Sequence, residues 1–434
     1  MPTHSIFQDN VASLMEQALP KSSLNLLKKI GDFGRRQSLP IFLVGGPLRD
    51  LLLNRPLKDI DLLVEGDSVA FASHLAKQFK GSLVATSQFG TAKIKIGSVT
   101  IDLATARKET YARPGALPTV SPGTVGDDLI RRDFSINAMA ASLSPSTWGK
   151  LLDPYGGRKD LAAGLVRVLH SKSFRDDATR ILRAIRYEQR LGLRIEPRTR
   201  ALLQSSLKYL DAISGDRIRH EFDHIFHEEK ALKMLDRAKR LGVLSAISPG
   251  LERAPSFRSI AGNRVIEAKD NSLVYLALLV YPLSEDEAEA FIKRLNMPSR
   301  WAKISRDASV MRTLSKELRA SNQTPSQIYE LLHGIAPEAL QACKSVTKSK
   351  IVRARIGLYL TKLQFVKPSL DGEQLLNIGV PQGPMVGNIL DDLKRARLNG
   401  EVATQRQEEQ LARRLLKACK SKPIKKTARR GVAR

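Results

Sequence analysis

Cysteine is nearly missing from this chain. Cys343 and Cys419 are the two in 434 residues, far apart and in no metal or disulfide pattern. That excludes a disulfide framework and suits a reducing compartment. Long apolar runs are missing too: none approaches the ~20 residues that cross a bilayer. The start, Met1-Pro2-Thr3-His4-Ser5, has no apolar signal segment, so a soluble cytoplasmic protein without a membrane partner is expected. Acid is scarce beside base, with 44 Asp and Glu against 71 Lys and Arg, a formal charge of +27 and a pI near 10.2. A polyanionic partner follows, nucleic acid first among the candidates. No repeat of fixed period is present.

What is present is enough apolar residue, 42%, to pack two to four domains at this length. Residues 1 to about 38 read as helical, with Leu24, Leu26, Leu27 and Ile30 on one side. Short β-like runs then alternate with helix: 40–44, 59–64, 82–87, 92–96, 99–105 and 136–142, with a helix at 68–79. Beyond about 160 the period is helical. The fold class expected is α+β: a small α/β head with a mixed sheet, then an extended all-helical neck, body and tail. The divisions fall at 1–145, 146–230, 231–340 and 341–434. From Arg413 the tail is dense in Lys and Arg, ending Lys425-Lys426-Thr427-Ala428-Arg429-Arg430, and is expected to be disordered when alone.

One stretch carries chemistry. Leu39-Pro40-Ile41-Phe42-Leu43-Val44 reads as a buried strand, followed by Gly45-Gly46-Pro47-Leu48-Arg49-Asp50. Two glycines admit a triphosphate to bare backbone. Pro47 suits a first helical turn, whose N–H groups attract an anion. Arg49 adds a planar fork for phosphate oxygens. About a dozen residues on, Asp59-Ile60-Asp61-Leu62-Leu63-Val64 puts two carboxylates on one face of a strand. Two carboxylates there repel unless a divalent cation lies between them, and Mg²⁺ is held by such pairs together with substrate phosphates. Two metals can clamp the attacking and leaving oxygens of an in-line displacement.

The segment from Leu43 to Val64 resembles the signature of the head of class II tRNA nucleotidyltransferases, a family of CCA-adding enzymes that also includes bacterial poly(A) polymerases. Four more segments resemble its later motifs, in family order: 128–140, 153–161, 176–187 and 215–221. The match runs to about Phe226, and the C-terminal half shows nothing comparable.

The resemblance implies transfer of nucleotides from ATP, and from CTP in CCA-adding members, to the tRNA 3′ acceptor end, with Mg²⁺ on Asp59 and Asp61. The arginines of the second motif contact the nucleotide. Arg131 and Arg132 are both candidates, one reaching the triphosphate while its neighbour faces away and pairs with acid. Side chains rather than a template select the base. Asp177 and Arg180 would face its Watson–Crick edge, with Arg183 and Arg186 serving triphosphate or ribose, or bracing the protein residues that act as template. Asp102, opposite Ile101 and Leu103 in strand alternation, reads as a third carboxylate near the metals, as support or as a solvent-facing residue. The family pattern has an Asp here, which ranks support above direct ligation, and Asn137 is a second support candidate.

At 100° per residue, Ala178, Ile181, Leu182 and Ile185 form an apolar stripe, with Arg180, Arg183, Arg186, Tyr187 and Arg190 on the other side. Asp153-Pro154-Tyr155-Gly156-Gly157 reads as a hinge. Arg217 and Glu221, four apart, read as a structural pair. His220, His224 and His227 have spacing compatible with metal, but read as helix packing.

Two features depart from CCA-adding members toward the branch adding only the terminal A. The fourth motif opens Asp176-Asp177 rather than Glu-Asp. The loop element usually Arg-Arg-Pro-like reads Tyr111-Ala112-Arg113-Pro114. The basic Arg-Phe-Arg strand of poly(A) polymerases is replaced by Phe89-Gly90-Thr91-Ala92-Lys93-Ile94-Lys95-Ile96. Repair of tRNA 3′ ends therefore ranks above polyadenylation of general RNA. A non-catalytic basic RNA-binding protein ranks below both, because the carboxylate pair and phosphate turn are intact.

Overall fold

The computed structural model describes residues 10–57, 60–262 and 272–420. The chain divides into two compact units, one of residues 1–263 with 291–297 and the other of 264–290 with 298–434. Asp59 and the basic run 425–430 lie outside the described residues.

The first unit opens with two helices, α1 (Ala12–Ala18) and α2 (Lys21–Arg36). Strand β1 (Ile41–Val44) leads without a linker into α3 (Gly45–Leu52), and β2 (Ile60–Val64) leads through three residues into α4 (Ser68–Gln78). Asp67 caps α4, accepting from the Val69 and Ala70 amides at 2.9 and 3.0 Å, as an N-cap acid should. Strands β3 (Ser82–Ser87), β4 (Thr91–Ile96) and β5 (Val99–Thr105) follow as an antiparallel meander. A separate hairpin, β6 (Arg107–Thr110) with β7 (Thr119–Pro122), precedes α5 (Val125–Ile130). Strands β8 (Ala140–Ser142) and β9 (Leu151–Leu152) complete a seven-stranded sheet of order β3-β4-β5-β2-β1-β8-β9. Within this sheet, among the described residues, β2 and β5 are the one parallel pair, so the sheet is mixed as expected. Alternation turns Ile94, Ile101 and Leu103 into the core with Phe71 and Leu75 of α4, leaving Asp102 on the other face.

The strand expected at 136–142 begins at Ala140 instead. Asp133 Oδ1 accepts from the Phe134 amide and the Asn137 side chain, both at 2.9 Å, and the chain curls into a 3₁₀ turn at Ser135–Asn137. The Asp153 segment is a helix-capping turn: its carboxylate accepts from the Gly157 and Arg158 amides at 2.6 and 3.0 Å, at the head of α6 (Gly157–Ala163).

Helices then dominate: α7 (Ser173–Asp176), α8 (Thr179–Leu191), α9 (Pro197–Ser205), α10 (Gly215–Phe226) and α11 (Ala231–Arg240). Helix α8 packs against both α10 and α11, with Ile181, Leu182 and Ile185 fully buried. The second unit's described residues form helices and their connections, with no strand. Its helices include Ser299–Glu317, Pro325–Leu332, Pro337–Val346 and Lys350–Thr361. Leu375, Leu393 and Ala412 centre a further apolar cluster toward its C-terminal end. Burial lifts the Cys343 thiol to about 11, which suits packing rather than reactivity. The fold is α+β, a mixed-sheet head followed by helices.

Candidate active site

A cleft of about 1030 Å³ opens within the first unit between the sheet, the β6–β7 hairpin and α8. Nine arginines and eight acids line it, and no lysine, among the described residues. Fixed guanidinium forks held by carboxylates suit planar, multi-oxygen ligands better than mobile ammonium groups do.

At its floor α3 begins on Gly45, whose φ of +69° lies in the left-handed region. A Cβ there would sit 3.1 Å from Arg132 Nη1 and 3.8 Å from Asp61 Oδ2. The missing side chain is thus the space in which a cation and an acid meet the start of a helix. Asp61 stands in register with Asp102 on β5, on one face of the sheet. Their hard oxygen donors fit Mg²⁺ in type.

Both second-motif arginines line the cleft, and both bind one acid, which corrects the expectation that one faces away. Asp128 is fully buried. Its Oδ1 accepts from Arg131 Nε at 2.9 Å and also from Arg131 Nη2. Its Oδ2 accepts from Arg132 Nε and Nη2 at 3.0 and 2.9 Å.

Arg49 also differs from expectation. It reaches the cleft wall but is only 3% exposed. Nη1 donates to Asn137 Oδ1 at 2.7 Å, while Nε and Nη2 donate to Asp50 at 2.9 and 2.8 Å. Three of its five N–H donors hold protein, and its low exposure makes it part of the cleft wall rather than a free fork. Asn137 passes the link on to Asp133, whose Oδ2 takes Arg183 Nε and Nη2 at 2.9 and 2.6 Å. First, second and fourth motifs are thereby tied by one relay, with Asn137 at its middle.

Burial alone would raise the Asp133 carboxyl, but Arg183 and the Asn137 amide outweigh it and hold the group below the usual carboxylate range. The same pairing raises Arg183 against the opposing effect of burial. Because the folded value is depressed, the stability Asp133 contributes is present above its unfolded value near 4 and is lost as pH falls through the folded value. Asp133→Asn should cost about 3 kcal/mol in urea unfolding at pH 7, by leaving Arg183 without its anion. The deficit should shrink below pH 4, and an equal deficit at pH 3 would contradict the assignment.

The fourth motif is more buried than its helical pattern suggests. Arg180 is 5% exposed, donating to Ser173 Oγ at 2.7 Å and to the Arg131 carbonyl at 2.6 Å. Arg186 is buried against Glu221 at 3.1 Å and does not line the cleft. This corrects its expected nucleotide contact, because α10 covers that face of α8. Tyr187 lies beneath three guanidinium groups, those of Arg49, Arg183 and Arg186, 5.4–5.8 Å from its ring centre, favourable cation–π geometry.

Arg217 and Glu221 do not pair with each other. Arg217 Nη2 instead meets Asp177 Oδ1 at 2.7 Å, and that oxygen also accepts from the Thr179 amide and hydroxyl at 2.9 and 2.6 Å. Glu221 faces α8, and burial raises its carboxyl despite Arg183 and Arg186 nearby. His220 and His224 touch through Nε2 at 3.0 Å. No cluster of three or more metal-type side chains forms among the described residues.

The β6–β7 hairpin contributes residues that sequence reasoning passed over. Glu109 Oε1 accepts from Arg107 Nη2 at 2.8 Å and Arg131 Nη1 at 3.0 Å, and Oε2 accepts from the Tyr111 hydroxyl at 2.8 Å. Burial first, then Glu109, raises the Tyr111 phenol. The signal available was the acid between basic residues in Arg107-Lys108-Glu109.

Residues 41–167 match the poly A polymerase head domain, and 192–254 match the probable RNA and SrmB-binding site of polymerase A. The chain is 35% identical to the A-adding tRNA nucleotidyltransferase of Geobacter sulfurreducens over 425 residues, covering 93% of this chain and 48% of that protein. It thus spans about half the length of that relative. It is 31% identical to the A-adding tRNA nucleotidyltransferase of Halalkalibacterium halodurans, covering 94% and 96%. The Thermotoga maritima CCA-adding enzyme complexed with tRNA superposes with a TM-score of 0.76 at 30% identity, covering 94% and 98%. The motifs, the mixed-sheet head and these likenesses agree: the chain belongs to the class II tRNA nucleotidyltransferase family of A-adding and CCA-adding enzymes.

Proposed function

We propose that this chain is a cytoplasmic, template-independent enzyme that adds AMP from ATP to tRNA 3′ ends finishing in CC. The observation carrying this reading is the meeting of Gly45, Asp61 and Arg132 at one point of an arginine-lined cleft. The terminal 3′-hydroxyl oxygen forms a bond to the α-phosphorus, the bond to the bridging oxygen breaks, and pyrophosphate leaves in line. Asp61, with Asp59 two residues earlier in the sequence, would hold Mg²⁺, which would lower the cost of ionising the hydroxyl and offset charge on the leaving group. Gly45 and Gly46 let the triphosphate approach backbone. Arg131 and Arg132, pre-aimed by Asp128, receive its oxygens. Asp177 and Arg180 select adenine, with Arg183 bracing them. The head, neck, body and tail divisions at 145, 230 and 340 remain our proposal, as does an acceptor-arm grip by the basic helical portion, which weakens steeply with salt.

Addition of the whole CCA from CTP and ATP is a second reading, favoured by the likeness to the Thermotoga enzyme. Transcripts lacking A, CA or CCA, each given ATP or CTP alone, separate the two by product length. One residue added to the CC end with ATP, and none with CTP on shorter ends, is the expected result. Extension by CTP establishes the second reading. Long tails on unstructured RNA indicate a poly(A) polymerase, and no pyrophosphate from any combination removes the catalytic reading.

A further inference from the structure

A second groove, of about 470 Å³, adjoins the cleft and shares Asp61 and Arg132 with it. We infer that this groove seats the 3′-terminal nucleotide of the acceptor RNA, with Lys93 as its backbone-phosphate contact and Asp102 positioning Lys93. The inference rests on the proposed transfer to an RNA 3′ end.

Asp61, Asp102 and Lys93 stand opposite one another across β2, β5 and β4. Register partners share a face, so the three form a transverse row. Two strand spacings of ~4.8 Å put the Lys93 backbone roughly 10 Å from that of Asp61. A terminal nucleotide laid along this row places its 3′-hydroxyl at Asp61 and its 5′-phosphate toward Lys93. Ala85 continues the row on β3, and Ser87 and Thr91 also line the groove, so small side chains leave room for a sugar.

Charge supports the same occupant. Lys93 is the lysine of this groove, while the nucleotide cleft has none among the described residues. A compact ammonium on a flexible stem suits a backbone phosphate whose position varies between acceptor ends. Its partner is Asp102 Oδ1 at 3.2 Å, with both side chains nearly half exposed. A pair so placed contributes little to stability. The carboxylate holds the ammonium over the groove without burying it.

The test uses full-length protein and tRNA ending in CC. Lys93→Ala should raise the KM for tRNA about tenfold and leave the KM for ATP unchanged. The slope of log affinity against log salt should become shallower by about 0.7, as for one lost single-strand phosphate contact. Lys93→Arg should restore both. In parallel, tRNA bearing a photoreactive terminal base is cross-linked to wild-type protein without ATP, and cross-links should map to residues 82–104. An unchanged tRNA KM and salt slope, a change confined to the KM for ATP, or cross-links solely outside 82–104 overturns the inference. If wild-type protein adds no AMP, the proposed function fails, while the salt slope and cross-link still report on the groove.

Discussion

Asp61→Asn should lower single-turnover AMP transfer to tRNA ending in CC by at least ~10³-fold, about 4 kcal/mol of transition-state stabilisation, in line with the several kcal/mol a metal clamp supplies. Asp61 sits where the cleft and the second groove meet, beside the glycine that starts α3 and close to Arg132. The amide keeps the shape of the side chain but removes its charge, so a divalent ion held there as proposed would lose an anchor. Asp61 is half-buried rather than a core residue, so urea unfolding should change by less than ~1 kcal/mol. Equilibrium binding of ATP should weaken by no more than about tenfold, since Arg131 and Arg132 remain held by Asp128. With Asp102 positioning Lys93 as inferred, Asp102→Asn should cost transfer about tenfold. Rapid-quench measurement of labelled tRNA decides the matter. A loss below tenfold in Asp61→Asn would remove Asp61 from the chemistry.

What was legible in the sequence was local. The apolar run before Gly45 marks β1, the glycine pair marks a close backbone approach, and period two puts Asp61 and Asp102 on exposed faces of their strands. What was not legible was partnership at long range. Arg49, Arg180 and Arg186 look outward on a helical wheel, yet their acceptors are Asn137, the Arg131 carbonyl and Glu221, each brought in by another element. No local pattern encodes that α10 covers the polar side of α8, or that Asp128 serves two arginines. The β6–β7 hairpin escaped notice because Arg107-Lys108-Glu109-Thr110 is polar on both faces and has no apolar alternation to reveal a strand. The 3₁₀ turn after Asp133 escaped because one carboxylate's hydrogen bonds outweigh the strand preference of Phe134 and Ile136.

Base choice is where the buried geometry makes its second large claim. Asp177 is fixed by two hydrogen bonds and one ion pair, and all three fall on Oδ1. On the proposed reading Oδ2 is the oxygen left for the 6-amino group of adenine, where guanine and uracil present a carbonyl oxygen instead. A site built to satisfy one pattern rejects another because its own polar groups would be left without partners, a discrimination that reaches ~10⁴. Asp177→Ala should lower kcat/KM for ATP by ~10²-fold and compress the preference over GTP and UTP from ~10⁴ to ~10. Arg217→Ala separates orientation from recognition: Asp177 keeps its Thr179 bonds but loses its brace, so ATP use should fall about tenfold with most of the preference retained. Arg180→Lys tests the other half. Lysine keeps the charge but cannot hold Ser173 and the Arg131 carbonyl together, so it should disturb Arg131 as well as the base and raise the KM for every nucleotide. Competition kinetics with the four nucleoside triphosphates on one tRNA read all three variants. If Asp177→Ala leaves the order and spacing of the four unchanged, the carboxylate is a structural tie of α8 to Arg217 and base choice lies elsewhere in the cleft.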